Sequence, residues 1–183
     1  MLRNILLIAA LASPICVGEA QPDGAALLAP FKAQLQQALK RGLAKGPADA
    51  VAVCRLEAPA IAESLSRESV LMGRTSHRLR NPANAGPDWV DPIVNAYLEN
   101  PSGRSPQTVA LGEQRVGYVE PIVTKPLCLT CHGDNLAPDI ANRLRELYPE
   151  DRATGFHTGD LRGVFWVEYP TAGNSASPQG LLP

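Results

Sequence analysis

The sequence predicts an α+β fold with a mostly antiparallel sheet and helices at its N-terminal end. Two helical periodicities come first, before any strand pattern. Strands interrupted by helices follow, and two of the strands are separated by only two residues, as in a hairpin. That order favours α+β over a doubly wound parallel sheet.

The first helix is expected over residues 25–45, where Leu27, Phe31, Leu35, Leu39 and Leu43 recur at i+4 and Lys32, Gln36 and Lys40 take another face. Gly46-Pro47 ends it. A second helix follows, with Asp49 near its first turn. Val51, Cys54, Ala58, Ile61 and Leu65 recur at spacings of three and four, which puts Cys54 on the apolar side and Arg55, Glu57 and Arg67 elsewhere. Pro59 lies inside this pattern and is expected to kink or divide the helix, because it deletes a donor and crowds the preceding turn. Residues 69–75 read as a strand, and RNPANAGPDW at 80–89 as a turn-rich loop. A short helix at 89–98 has Pro92 near its start. Strands at 108–111 and 114–123 meet at Gly112-Glu113. A helix at 139–148 puts Ile140, Leu144 and Leu147 on one side and stops at Pro149, and GVFWVEY at 163–169 is the last strand. The Gly/Ser/Pro-containing segment 171–183 is expected to be a disordered tail. The pattern contains no internal repeat.

Residues 1–20 have the form of a cleavable signal peptide. A charged start at Arg3 precedes the apolar run ILLIAALA, and Gly18-Glu19-Ala20 supplies small residues before Gln21. Cys16 does not suggest a lipoprotein, because Ser13-Pro14-Ile15 is a poor match for the residues that precede a lipidated cysteine. The domain itself is expected over 21–170, exported to a periplasm. Nothing later approaches the roughly 18 continuous apolar residues of a membrane helix. The chain has 183 residues, 45% hydrophobic and 19% charged, enough apolar content for a packed core. A net charge of -1 gives no reason to expect a nucleic-acid partner.

Cleavage leaves Cys54, Cys128 and Cys131, an odd number for an oxidising compartment. Two of them fall in LCLTCHGD, residues 127–134. A zinc site needs about four ligands, and Cys54, His77 and His157 are scattered rather than paired. A redox C-x-x-C normally opens a helix in a βαβ unit, which this motif lacks. Covalent haem explains more. The Cys128 and Cys131 sulfurs reach two vinyl groups on one porphyrin edge, and His132 turns its imidazole onto the iron. Gly133 lets the backbone leave without a side chain against the ring. Export agrees with this attachment, and one unconsumed thiol, Cys54, remains.

ADAVAVCRLEAPAIAESLS (48–66), GRTSHRLRNPANAGPD (73–88), CLTCHG (128–133) and YPEDRATGFHTGDLRGVFWVE (148–168) occur in an order that resembles a family of exported c-type haem domains, formerly a domain of unknown function. The resemblance covers nearly all of the mature chain to about Tyr169. It implies a PAS-like α+β fold with one covalent haem, used alone or as the sensory part of signalling proteins. It also implies that Cys54 is the axial ligand opposite His132. His77 departs from the family pattern and is a rival to Cys54.

Met72 reads as strand core and His157 as a solvated loop residue. Arg78, Arg80 and Asn81, with Arg74, form a polar run that is either a solvated loop or a set of contacts to haem propionates, whose planar carboxylates suit guanidinium forks. Ligands on both iron faces leave no open position for oxygen chemistry, and no catalytic constellation stands out, so the chain is expected not to be an enzyme. The expected function is one-electron transfer or redox sensing with a partner protein, the alternative being an NO/CO sensor that signals through a partner. The sequence leaves the oligomeric state open.

Overall fold

The computed structural model describes residues 23–67, 69–112 and 114–171. The segment expected as a signal peptide, 1–20, and nearly all of the expected tail lie outside the described residues. Helix α1 spans Gly24–Leu43, and Asp23 caps it by accepting the Ala25 N–H at 3.0 Å. Helix α2, Pro47–Leu65, begins with a proline in its first turn, where no intrahelical donor is needed. It runs through Pro59 as one helix rather than two. Pro59 is on the exposed side, where the carbonyl it frees can be hydrated.

The leucine stripe expected for α1 is divided between two tasks. The residues fully buried are Gly24, Leu28, Phe31, Ala38 and Gly42, while Leu35, Leu39 and Leu43 are half-buried. Small residues carry the seam with α2. A Cβ on Gly42 would lie 2.6 Å from the Ala50 Cα, so only glycine allows this approach.

Strands β1 (Leu71–Thr75), β2 (Gln107–Gly112), β3 (Arg115–Val123) and β4 (Leu161–Pro170) form one antiparallel sheet in the order β1-β4-β3-β2. β2 and β3 are the expected hairpin. The 80–89 loop contains two short 3₁₀ turns, at Pro82–Asn84 and Asp88–Val90, and helix α3 follows at Asp91–Glu99. The motif forms a 3₁₀ turn, Pro126–Cys128, and the one-turn helix α4, Leu129–His132. Helix α5 is Pro138–Leu147.

Strand alternation assigns the two sheet faces. Val116 and Tyr118 of β3, Val167 and Tyr169 of β4 and Met72 of β1 pack against Leu28 and Phe31 of α1. Val119 and Val164 point the other way, onto Ile93, Val94 and Tyr97 of α3. A third cluster joins Val51 of α2 to Ile140 and Leu144 of α5 and to Tyr148. Helices α2 and α5 thus stand on one side of the motif, and the α1-covered face of the sheet on another. Among the described residues, no helix is long and apolar enough to cross a membrane.

Candidate functional site

A cavity of about 330 Å³ lies among α1, α2, the motif and the α1-covered face of the sheet. Leu35, Leu39 and Leu43 of α1, Val51 and Ala58 of α2, and Phe165 of β4 form its apolar wall. That wall is why the three leucines are only half-buried. Cys54, Cys128, Cys131 and His132 line the same space, together with Arg74, Arg80, Arg162 and Asn81.

The motif is held by its own backbone. Past the end of β3, the Thr124 N–H donates to the Asp160 carbonyl at 2.8 Å, and Gly159 N–H donates back to the Thr124 carbonyl at 2.9 Å. Lys125 N–H donates to the Cys128 sulfur at 3.4 Å. Gly133 then ends α4. A Cβ there would lie 2.8 Å from the Leu129 carbonyl oxygen, so the turn of the motif itself demands this glycine. The loop at 151–156 is stitched to α4, with Gly155 N–H donating to the Gly133 carbonyl and Phe156 N–H to the His132 carbonyl, each at 2.9 Å.

His132 donates from Nδ1 to the Ala153 carbonyl at 2.7 Å. A carbonyl only accepts, so the ring proton sits on Nδ1 and the Nε2 lone pair is free for a metal. Burial, and then the Arg162 and Arg80 charges, push the imidazole pKa down to about 2. Cys54 is half-buried on α2. Burial raises its thiol pKa, while Arg74 and Arg80 pull it the other way.

Arg80 faces the cavity but commits its donors to the protein. Its Nε reaches Asp151 Oδ2 at 3.0 Å, and one Nη2 reaches both the Cys131 carbonyl at 2.6 Å and the Ala153 carbonyl at 3.1 Å. Asn81 lines the cavity, and its side chain accepts the Ala83 N–H at 3.1 Å. Arg78 and His77 are not among the lining residues. The Arg78 guanidinium stacks over Phe156, 3.8 Å from the ring centre, and donates to the Gly155 carbonyl at 3.2 Å. His77 is exposed and meets Phe156 edge-on at 5.9 Å. Met72 is buried, and His157 is exposed within 3.6 Å of Asp134 and of Asp160.

Sequence reasoning did not single out Arg162 and took Arg74 only as a member of the polar run weighed as contacts to propionates. Arg162 has a buried Nε without a hydrogen-bond partner and packs over Phe156 at 5.2 Å. Burial and the nearby Arg74 and Arg80 charges bring its pKa down to about 9, the mark of a cation short of counter-charge. No ion pair to Arg74 or Arg162 occurs among the described residues. A signal for Arg74 existed: it is two residues from Met72 in the same strand, so it must share the covered face. Among the described residues, no group of three or more His, Cys, Asp or Glu is arranged to hold a metal ion, and the three cysteines are free thiols.

A two-helix layer over a four-stranded antiparallel sheet, with a Cys- and His-lined cavity between them, defines the class of protein. The chain belongs to the Tll0287-like family, whose model (Tll0287-like: Tll0287) matches residues 19–170. Among solved structures it is similar to the crystal structure of the cyanobacterial heme-protein Tll0287. The identity is 25% and the TM-score 0.56, over 76% of this chain and 90% of that one. No curated protein matches the chain.

Proposed function

We propose that the chain is an exported monohaem c-type protein that carries or senses single electrons. The observation that carries this reading is the set of groups lining one cavity: the Cys128 and Cys131 thiols, a neutral His132 with a free Nε2, the Cys54 thiol, and two guanidiniums without carboxylate partners. The cavity's chemistry fits a haem, because leucines offer a face for an apolar macrocycle and Arg74 and Arg162 lack the anions that two propionates carry. A solved relative described as a heme-protein supports the same reading.

On this reading Cys128 and Cys131 would hold the group by thioethers, and His132 and Cys54 would be the residues that ligate its iron. Arg74 and Arg162, rather than Arg78, would receive the propionates. Asn81 borders them. His77, exposed and outside the cavity lining, loses ground to Cys54 as the second ligand. Bound haem would supply a one-electron couple, and a thiolate ligand favours its ferric form and hence a low potential. The chain's own residues exclude water with the α1 leucines and keep His132 unprotonated. Two axial ligands leave no open position for substrate, which supports a non-enzymatic role with a redox partner protein. The leader at 1–20 supports export to the periplasm, where such haems are attached.

A second reading, NO or CO sensing through a partner, draws on one further feature. A second cavity of about 220 Å³ adjoins the first, and both are lined by Ala58, Arg74 and Asn84. It gives a diatomic molecule space beside the helix that carries Cys54.

The test is production in a periplasm equipped for haem attachment, followed by intact mass, absorption and EPR of the parent and of Cys54→Ala. The expected parent carries one haem and a ferric low-spin thiolate signature that Cys54→Ala removes. A parent without added haem overturns the reading. A signature that survives Cys54→Ala overturns the ligand assignment. Retention of a six-coordinate spectrum on reduction, without a CO adduct, favours the carrier; ligand loss and CO binding favour the sensor.

A further inference from the structure

We propose that Arg80 and Asp151 form a positioning pair that sets how strongly His132 donates to the iron, acting through the Ala153 carbonyl. The inference rests on the haem reading above and assigns Arg80 a role other than propionate contact.

The Ala153 oxygen accepts two donors, His132 Nδ1 at 2.7 Å and Arg80 Nη2 at 3.1 Å. A carbonyl has two lone pairs, so both bonds form together. Asp151 completes the unit with its two carboxylate oxygens. Oδ2 receives Arg80 Nε at 3.0 Å, and Oδ1 receives the Ala153 N–H at 2.7 Å. The same guanidinium holds the Cys131 carbonyl at 2.6 Å, one residue before His132. Arg80 therefore ties the motif to the loop that faces it. The Arg152 N–H, donating to the Leu79 carbonyl at 2.9 Å, fixes the loop to Arg80's own segment. The Arg80 and Asp151 side chains are only 12% and 10% exposed, so solvent and salt screen their charges weakly.

This geometry has an electronic consequence. A histidine that donates Nδ1–H strongly gains imidazolate character and becomes a better ligand for ferric iron, which lowers the potential. The guanidinium draws electron density from the same oxygen and weakens that donation. Asp151 partly cancels the guanidinium charge. Removing Arg80 therefore strengthens the histidine's donation, and removing the Asp151 charge weakens it. The bare charges of the pair act on the potential in the same senses, so the readout that only action through the Ala153 carbonyl moves is the iron–histidine stretching frequency, which should rise in Arg80→Gln and fall in Asp151→Asn.

The test is redox titration, with measurement of the iron–histidine stretching frequency, of the haem-loaded parent, Arg80→Gln, Asp151→Asn and the double variant, each first shown by mass to carry one covalent haem. The midpoint potential is expected to fall in Arg80→Gln, to rise in Asp151→Asn and to return toward the parent in the double variant. Potential shifts of the same sign, or none, or an unmoved stretching frequency in loaded single variants overturn the inference and leave the haem reading intact. A parent with no covalent haem overturns both. Should Arg80→Gln fail to accumulate, Asp151→Asn still decides, because an unchanged or lowered potential, or a stretching frequency that does not fall, in that variant overturns the proposal.

Discussion

His132 gives its Nδ1 proton to the Ala153 carbonyl at 2.7 Å, across a gap of 21 residues in the chain. The contact joins the motif to a loop of mostly polar and small residues, and it fixes the imidazole as a neutral group with one defined tautomer.

The haem-free chain is predicted to lose stability as the pH falls. Folded His132 has a pKa of about 2, against an ordinary 6.5, because burial and the Arg162 charge oppose protonation. Below 6.5 the unfolded state thus binds a proton that the folded state refuses. The stability tied to neutral His132 is complete above 6.5 and drains as pH falls toward 2, by at most about 1.4 kcal/mol per pH unit. His77, also lowered by burial and by Arg78, acts in the same direction. Urea unfolding at pH values stepping down from neutral measures the slope. His132→Gln should flatten it more than His77→Gln. Equal slopes in the parent and His132→Gln count against a neutral buried imidazole.

Gly42→Leu should separate α1 from α2. A Cβ at Gly42 comes within 2.6 Å of the Ala50 Cα, a backbone atom that cannot rotate away. Overpacking of this kind costs about 1–3 kcal/mol, more than the ~1 kcal/mol gained by replacing a helical glycine. The denaturant midpoint should fall. If Cys54 ligates a bound haem as proposed, its thiolate signature should weaken as well, since α2 carries Cys54 one turn beyond Ala50. Ala44→Leu, at an exposed position just past α1, is the control that should change neither.

The order of elements was readable because apolar periodicity changes from helical to alternating at Leu71, and the last strand, expected at 163–169, occupies Leu161–Pro170. The division of the α1 leucines was not readable. Leu35, Leu39 and Leu43 have the same side chain as Leu28, and only the placement of α2 and the sheet decides which face meets core and which meets cavity. Cys128, Cys131 and His132 stood out in the sequence because covalent haem attachment would impose a fixed spacing, and all three line one cavity. Arg74 and Arg162 come from separate strands, and their meeting depends on the pairing of β1 with β4. The Ala153 carbonyl was invisible for a different reason: every residue has one, so nothing in the sequence marks the one that a histidine uses.

Arg162→Leu is predicted to move two measurements in opposite senses. In the haem-free chain Arg162 places a cation beside Arg74 and Arg80 with a buried Nε that finds no partner. Leaving a buried donor unsatisfied costs about 1–3 kcal/mol. The stacking of Arg162 over Phe156 returns only about 0.5–1 kcal/mol of that. The main-chain carbonyl of Arg162, which accepts the Ser76 hydroxyl at 2.7 Å, is untouched by the substitution. Leucine should therefore stabilise the haem-free chain by roughly 1 kcal/mol in urea unfolding. On the proposed haem reading the same substitution would remove a counter-charge from a propionate, so the ferric state would gain and the midpoint potential should fall. Phe156→Leu separates the stacking contribution from the charge, since it keeps the guanidinium and should leave the potential nearer the parent. A haem-free chain destabilised by Arg162→Leu, together with an unmoved potential, would show that Arg162 serves packing alone.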